Sequence, residues 1–153
     1  MTALEGALAF AIVGSLLVIG TLTFKKHWRS SRLVEPVSGL EHIAAHAVLL
    51  AEAGHPVVSA PLTPSEVPRA PVIDLEGAWD HPTWKALEFR ASPEGVPHSF
   101  SFVFDATADG FVAHSYGDLD GDGVRSSFEL SAKKGADGHL TITPGMRVEN
   151  ELE

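Results

Sequence analysis

The feature that most constrains the fold of this chain is an uncharged apolar run near its amino terminus. Residues 6–24 contain no ionisable side chain, and Glu5 stands directly before them. As a helix rising about 1.5 Å per residue, a run of this length crosses most of a hydrocarbon core about 30 Å thick. Such a segment must be buried in lipid or among other apolar helices. A carboxylate at its head then needs either a partner or a place at the polar edge of a membrane.

The charges around this run are distributed unlike those of a usual secretory signal peptide. No basic residue precedes the run, and a basic cluster follows it at Lys25, Lys26, Arg29 and Arg32. A signal peptide carries its basic residues before the apolar stretch. The positive-inside rule would place the cluster in the cytoplasm, whereas loss of a basic leader would reverse this balance. Both orientations stay open.

An amphipathic helix is predicted to continue the apolar run over residues 25–54. Apolar side chains recur there at steps of three and four, as on one face of a helix. They are Leu33, Val37, Leu40, Ala44, Ala47 and Ala51. Pro36 predicts a kink, and Gly54 followed by Pro56 predicts the end of the helix.

The remainder of the chain divides into a connector and a β-rich head. Six prolines interrupt regular structure between positions 56 and 82, so residues 55–84 are predicted to form an extended connector held down by Trp79 and Trp84. Hydrophobic and polar residues then alternate over residues 87–90, 99–104, 111–116 and 139–143. The predicted fold class is α+β. A long N-terminal helix, apolar over 1–24 and amphipathic over 25–54, packs on a small antiparallel sheet of three to four strands within residues 85–153.

Residues 118–129 have the spacing of a twelve-residue EF-hand calcium loop. The candidate ligands at loop positions 1, 3, 5, 7, 9 and 12 are Asp118, Asp120, Asp122, the carbonyl of Val124, Ser126 and Glu129. Gly123 occupies position 6, where a sharp turn is needed. There is one such loop, and its flanks are typical of strands, so we expect structural Ca²⁺ in a β domain rather than a calcium sensor. The alternative is an acidic turn without metal.

The sequence predicts no enzymatic activity. The chain has no cysteine, no His-Glu-x-x-His, no Gly-x-Ser-x-Gly and no phosphate-binding loop. His42 and His46 are one helical turn apart and could hold a metal, but no third ligand lies nearby in sequence, which favours ordinary surface or packing roles. A net charge of −9 argues against non-specific nucleic-acid binding.

Glu5, the uncharged run with Gly14, the amphipathic continuation, the connector and the sheet together resemble a type IV pilin or a pseudopilin of a type II secretion system. The resemblance implies a structural subunit that polymerises through its N-terminal helix into a helical filament of identical copies. It implies passage from the bacterial inner membrane, through pilus assembly machinery, to the cell surface.

The resemblance also implies roles for single residues. Met1 would be the N-methylated first residue left by leader removal, and Glu5 would neutralise the amino terminus of a neighbouring subunit. Gly14 would allow local unwinding of the helix on assembly. Two departures from the family pattern are Met1, where phenylalanine is usual, and Gly6, where a large apolar residue is usual.

Two alternatives to a surface pilus subunit remain open from the sequence. One is a pseudopilin of a secretion system. The other is a single-pass membrane protein with a calcium-binding domain that does not polymerise. Replacement of Glu5 distinguishes polymer from plain anchor, because only a filament needs the carboxylate for assembly.

Overall fold

The computed structural model describes residues 33–151, which belong to the compact unit Leu33–Glu153. The predicted apolar segment lies outside the described residues. So do the three predicted assembly residues Met1, Glu5 and Gly14.

The described chain consists of two helices and six strands. In chain order these are α1 (Val34–Glu52), β1 (Ala60–Thr63), α2 (Pro82–Ala86), β2 (Phe100–Thr107), β3 (Gly110–Gly117), β4 (Ser126–Lys134), β5 (Leu140–Ile142) and β6 (Arg147–Glu149). All six strands form one antiparallel sheet in the order β1-β2-β3-β4-β5, and β6 pairs with the first half of β4.

The predicted fold class is wrong. The described part of the chain is dominated by a six-stranded antiparallel sheet with one helix of 19 residues, not by a long helix on three to four strands. Among residues 33–151, no helix combines the length and the apolar character that crossing a membrane requires. Two of the strands, β1 and β6, come from segments whose sequence shows no sustained alternation.

Residues 87–90 alternate in sequence but form a turn after α2 instead of a strand. Leu87 and Phe89 are both buried, and Glu88 between them has a left-handed backbone with φ +50. The alternation therefore reflects the turn that ends a short helix, in which Leu87 and Phe89 face the core and Glu88 does not.

Both ends of α1 follow from local sequence. Pro36 lies in its first turn, where the missing N–H has no acceptor within the helix, so this proline does not kink the described helix. Gly54 adopts φ +77 beyond the last turn and its N–H donates to the Ala51 carbonyl, while the His55 N–H donates to the Leu50 carbonyl. The helix thus ends where the sequence predicts.

The core lies between α1 and one face of the sheet. β2 directs three phenylalanines into it, whereas β3 offers the smaller Ala113, Ser115 and Gly117 opposite them. These small residues leave room for α1 to approach the middle of the sheet. Gly39 of α1 faces Phe102 so closely that an added Cβ would lie 2.6 Å from the ring atom Cε1.

The two tryptophans hold the connector as predicted. The Trp84 indole N–H donates to the Thr63 hydroxyl at 2.9 Å, and the Trp79 indole N–H donates to an Asp74 carboxylate oxygen at 2.6 Å. Both rings are buried, so burial and one hydrogen bond at each ring hold the connector on the core. The connector is not extended throughout, because it contains β1 and the start of α2.

Candidate metal centre

Three aspartates gather in the loop between β3 and β4. Asp118, Asp120 and Asp122 each place one carboxylate oxygen within 4.8 Å of the others, and no second group of this kind occurs among residues 33–151. The loop is closed because Gly117 at the end of β3 pairs with Ser126 at the start of β4. The chain between them must therefore turn back on itself in eight residues.

The loop backbone wraps around the aspartate side chains. The Asp118 carboxylate accepts hydrogen bonds from the N–H groups of Gly121 at 2.7 Å and Gly123 at 3.1 Å. Asp122 Oδ1 accepts from the Val124 N–H at 2.7 Å. Both glycines have positive φ, +75 and +95, a conformation that other residues rarely adopt. The glycines thus let the backbone donate to a carboxylate that is only 3% exposed.

The site concentrates negative charge, because it brings three carboxylates together. Arg69 Nε lies 3.9 Å from Asp118 Oδ2, and the Arg69 side chain is 75% exposed. Asp120 and Asp122 are exposed beside Asp118. Three close carboxylates repel one another unless a cation lies between them, and oxygen donors of this type suit Ca²⁺. The aspartate group therefore fits the ion that the sequence predicts.

The other three predicted ligands are placed differently. Val124 remains in the loop, but Ser126 is fully buried at the start of β4 and its hydroxyl donates to the Gly117 carbonyl. Glu129 is not brought to the aspartates. Its side chain lies on the outer face of the sheet, with Oε2 3.9 Å from His114 Nδ1. In a strand, residues alternate between faces, so Phe128 points into the core and Glu129 away from it.

Glu129 belongs instead to a polar patch on the outer face of the sheet. Its neighbours there are His114, Tyr116, Ser127, Arg147 and Glu149. Burial raises the pKa of Tyr116 above its usual range, and the negative charges of Asp105 and Glu129 raise it further, while Arg125 lowers it. The strand register sets polar residues of β3 opposite those of β4. The sequence alone does not show this pairing, so the patch could not be predicted from it.

A second buried polar cluster joins three separate segments and was not predicted from the sequence. His98 is 1% exposed, and its Nε2 lies 2.9 Å from Asp74 Oδ1 while its Nδ1 lies 2.9 Å from the Phe100 carbonyl. Glu35 of α1 accepts from the N–H groups of Ser99 at 2.9 Å and Phe100 at 3.0 Å. The cluster ties the first turn of α1 and the connector to the start of β2.

Comparison with protein-family models, with curated proteins and with solved structures finds no match for this chain. The pilin resemblance therefore rests on the sequence alone. Nothing in the described part of the chain contradicts the prediction that the protein is not an enzyme.

Proposed function

We propose that this protein is a structural, non-enzymatic subunit of a type IV pilus-like extracellular filament. The observation that carries the proposal is Glu5 at the head of the uncharged run over residues 6–24. A segment of that composition has to be buried in lipid or in a bundle of its own kind. Support comes from α1, which follows that run in the sequence and packs one face on the sheet of a folded head.

The role proposed for Glu5 follows from the cost of a buried charge. A carboxylate among apolar helices requires a cation with good geometry, since the desolvation penalty is otherwise not recovered. In a filament of identical subunits, the amino terminus of a neighbouring copy would supply that cation without a long side chain. Gly14 makes the same segment easier to unwind locally, because glycine costs about 1 kcal/mol in a helix interior.

We propose that the subunit occupies two locations in turn. It is held in the bacterial inner membrane by its apolar segment, and pilus assembly machinery then transfers it into an extracellular filament. A pseudopilin differs only in belonging to a secretion system. A non-polymerising membrane anchor differs in needing no carboxylate at position 5.

We further propose that Ca²⁺ binds Asp118, Asp120 and Asp122 as a structural ion. The chain has no cysteine, so the head cannot be stabilised by disulfides. An ion between the three carboxylates would offset their repulsion and hold the β3–β4 loop closed against the Arg69 side of the connector.

The filament proposal is tested by imaging material sheared from the surface of the source cells and identifying its subunit by mass spectrometry. We expect thin filaments composed mainly of this chain. Glu5→Ala should abolish them while the protein still accumulates in the membrane. Glu41→Ala, which removes an exposed carboxylate from α1, should leave them intact.

Filaments of normal length and order from the Glu5→Ala variant would contradict the role of the carboxylate. A chain found only in the membrane fraction would favour a pseudopilin or a plain anchor.

A further inference from the structure

A buried histidine contacts two oxygen atoms at once, one from β2 and one from the connector. His98 Nδ1 lies 2.9 Å from the backbone carbonyl oxygen of Phe100, and His98 Nε2 lies 2.9 Å from Asp74 Oδ1. The side chains of His98 and Asp74 are 1% and 6% exposed, so water has little access to the contact between them. Polar groups buried in this way must satisfy one another.

The geometry sets the number of protons that the two side chains hold. A backbone carbonyl can only accept a hydrogen bond, so His98 Nδ1 carries a proton and donates it to the Phe100 carbonyl. The contact between Nε2 and the Asp74 carboxyl group then needs a second proton, either on Nε2 or on the carboxyl oxygen. Without it, the lone pair of Nε2 would face the lone pairs of a carboxylate in a buried site. The contact therefore forms only while His98 and Asp74 together hold this second proton.

The charged groups that face the His98 ring come from two elements. Asp74 belongs to the connector, and Glu35 belongs to the first turn of α1, with its Oε1 3.8 Å from His98 Nδ1. Loss of the second proton therefore adds one negative charge to a buried site that already contains the Glu35 carboxylate. Such a charge is costly in a site that water hardly reaches.

Asp74 also holds the following part of the connector. Its Oδ2 accepts a hydrogen bond from the Trp79 indole N–H at 2.6 Å. Two residues earlier, Val72 and His98 exchange two backbone hydrogen bonds, each 2.9 Å long. Residues 72–79 are thus attached to the head by bonds that converge on His98 and Asp74.

We propose that residues 72–79 are held on the head by a pH-sensitive contact, which requires the proton shared by His98 and Asp74. Imidazole is the side chain that gains and loses a proton near neutral pH. The contact is closed while the proton is bound. As the pH rises and the proton leaves, Asp74 separates from His98 and the bond to Trp79 loosens. The same stretch lines a groove of about 690 Å³ together with residues 62–69, so the proton also controls one side of that groove.

Asp74→Asn separates the requirement for a proton from the hydrogen bonds. The asparagine amide donates to a neutral Nε2, while its oxygen accepts from the Trp79 indole, so the same contacts form without the second proton. His114→Gln is the matched control, because it removes a histidine that contacts Glu129 on the outer face of the sheet.

The test is a nuclear magnetic resonance titration of the full-length chain in detergent between about pH 5 and 8, at constant Ca²⁺. In the parent chain, we expect the Trp79 indole signal, identified by its loss in Trp79→Phe, to shift with the same midpoint as the His98 ring nitrogens. The shift of Trp79 should disappear in Asp74→Asn and persist in His114→Gln.

Urea denaturation across the same range provides a second readout. Because the contact requires a bound proton, its contribution to the free energy of unfolding is present at low pH and is lost as the pH rises. The ratio of the unfolding constant of the parent to that of Asp74→Asn should therefore increase with pH, by at most about tenfold per pH unit for one proton.

Three results would overturn the proposal. The first is a Trp79 signal that stays constant in the parent while the His98 ring loses its proton. The second is a Trp79 shift of the same size in Asp74→Asn. The third is the absence of any change in the His98 ring nitrogens over this range, which would mean a permanent hydrogen-bonded contact without pH sensitivity.

Discussion

Tyr116 is the only tyrosine of the chain, so its phenol reports directly on the charges of the outer sheet face. Burial is the largest cause of its raised pKa, followed by the negative charges of Asp105 and Glu129. A raised pKa means that the folded state holds the proton more tightly than the unfolded state. The contribution to the free energy of unfolding is therefore complete below the unfolded value near 10 and is lost as the pH rises through the folded pKa.

The first prediction concerns this titration. The near-ultraviolet absorbance of tyrosinate should develop with a midpoint above the ordinary value of about 10. Glu129→Gln should lower the midpoint toward that value, because one of the charges that oppose ionisation is removed. Glu149→Gln, on the same face but not among the causes of the shift, should have little effect.

The same titration locates Glu129 when calcium is present. Added Ca²⁺ should not move the Tyr116 midpoint, since the structure places Glu129 away from the aspartate loop. A clear fall of the midpoint on adding Ca²⁺ would show that the ion neutralises Glu129, as the EF-hand spacing predicts, and would contradict the placement in the sheet.

Single residues also show why only part of the candidate site could be predicted. Asp118, Asp120 and Asp122 were predicted from their spacing, because a short loop closed by its own backbone is a local property. Glu129 was predicted on the assumption that position 12 returns to the loop. That return depends on the element that follows, and a strand turns the residue to the opposite face. The cluster around His98 joins segments far apart in sequence and has no local signal.

Gly39 sets how closely α1 approaches the sheet. An added Cβ would meet Phe102 at 2.6 and 2.8 Å, and this ring is fully buried. Alanine would gain about 1 kcal/mol in helix propensity, whereas crowding in a well-packed core costs about 1–3 kcal/mol. The crowding cost outweighs the gain in helix propensity, because a buried ring has little freedom to move.

Gly39→Ala is accordingly expected to lower the free energy of unfolding by about 1 kcal/mol, measured by urea denaturation. Phe102→Leu removes the ring that the added Cβ would meet. In that background, Gly39→Ala should therefore lower the free energy of unfolding by a smaller amount. Glu41→Ala, on the exposed face of the same helix, should not destabilise. A Gly39→Ala variant more stable than the parent would mean that α1 sits farther from the sheet.

The β3–β4 loop is the element whose stability should depend on calcium. A ligand at ten times its dissociation constant stabilises the folded state by about 1.4 kcal/mol, which raises the melting temperature of a domain this size by several degrees. Extracellular calcium sites have dissociation constants of about 10⁻⁴–10⁻³ M, so we expect this increase at about 10 mM Ca²⁺ and its loss in Asp118→Asn. Asp109→Asn, in the exposed β2–β3 turn, should keep the increase. Melting curves that coincide in excess Ca²⁺ and in excess chelator would contradict the calcium site.

Among the helices and strands, the sequence predicts those whose position depends on residues close together in the chain. The end of α1 follows from a glycine stop, and strands β2 and β3 follow from the alternation over residues 99–104 and 111–116. β1 could not be found in this way, because it is four residues long, lies among prolines and pairs with β2 through an irregular register between Ala60 and Thr63. Its place is set by the burial of Thr63 under Trp84, a contact between residues 21 apart in sequence.

For the molecule as a whole, the core and the proposed assembly segment occupy different parts of the chain. Every buried apolar residue of the described core lies in the compact unit Leu33–Glu153. The proposed assembly residues Met1, Glu5 and Gly14 all precede that unit. Folding of the head and formation of a filament should therefore be separable by truncation and by substitution.

A chain that begins at residue 30 is expected to fold, to remain monomeric by light scattering and to form no filaments. Its melting temperature should match that of the head in the full-length Glu5→Ala variant, because neither change removes a core residue. The calcium-dependent increase in melting temperature should persist in both, since the aspartate loop lies within the same unit.

An unfolded or aggregated truncated chain would show that residues before position 30 complete the core of the head. Self-association of a folded truncated chain would instead show that the head contributes a polymer contact of its own, and a filament then would not depend on the apolar segment alone.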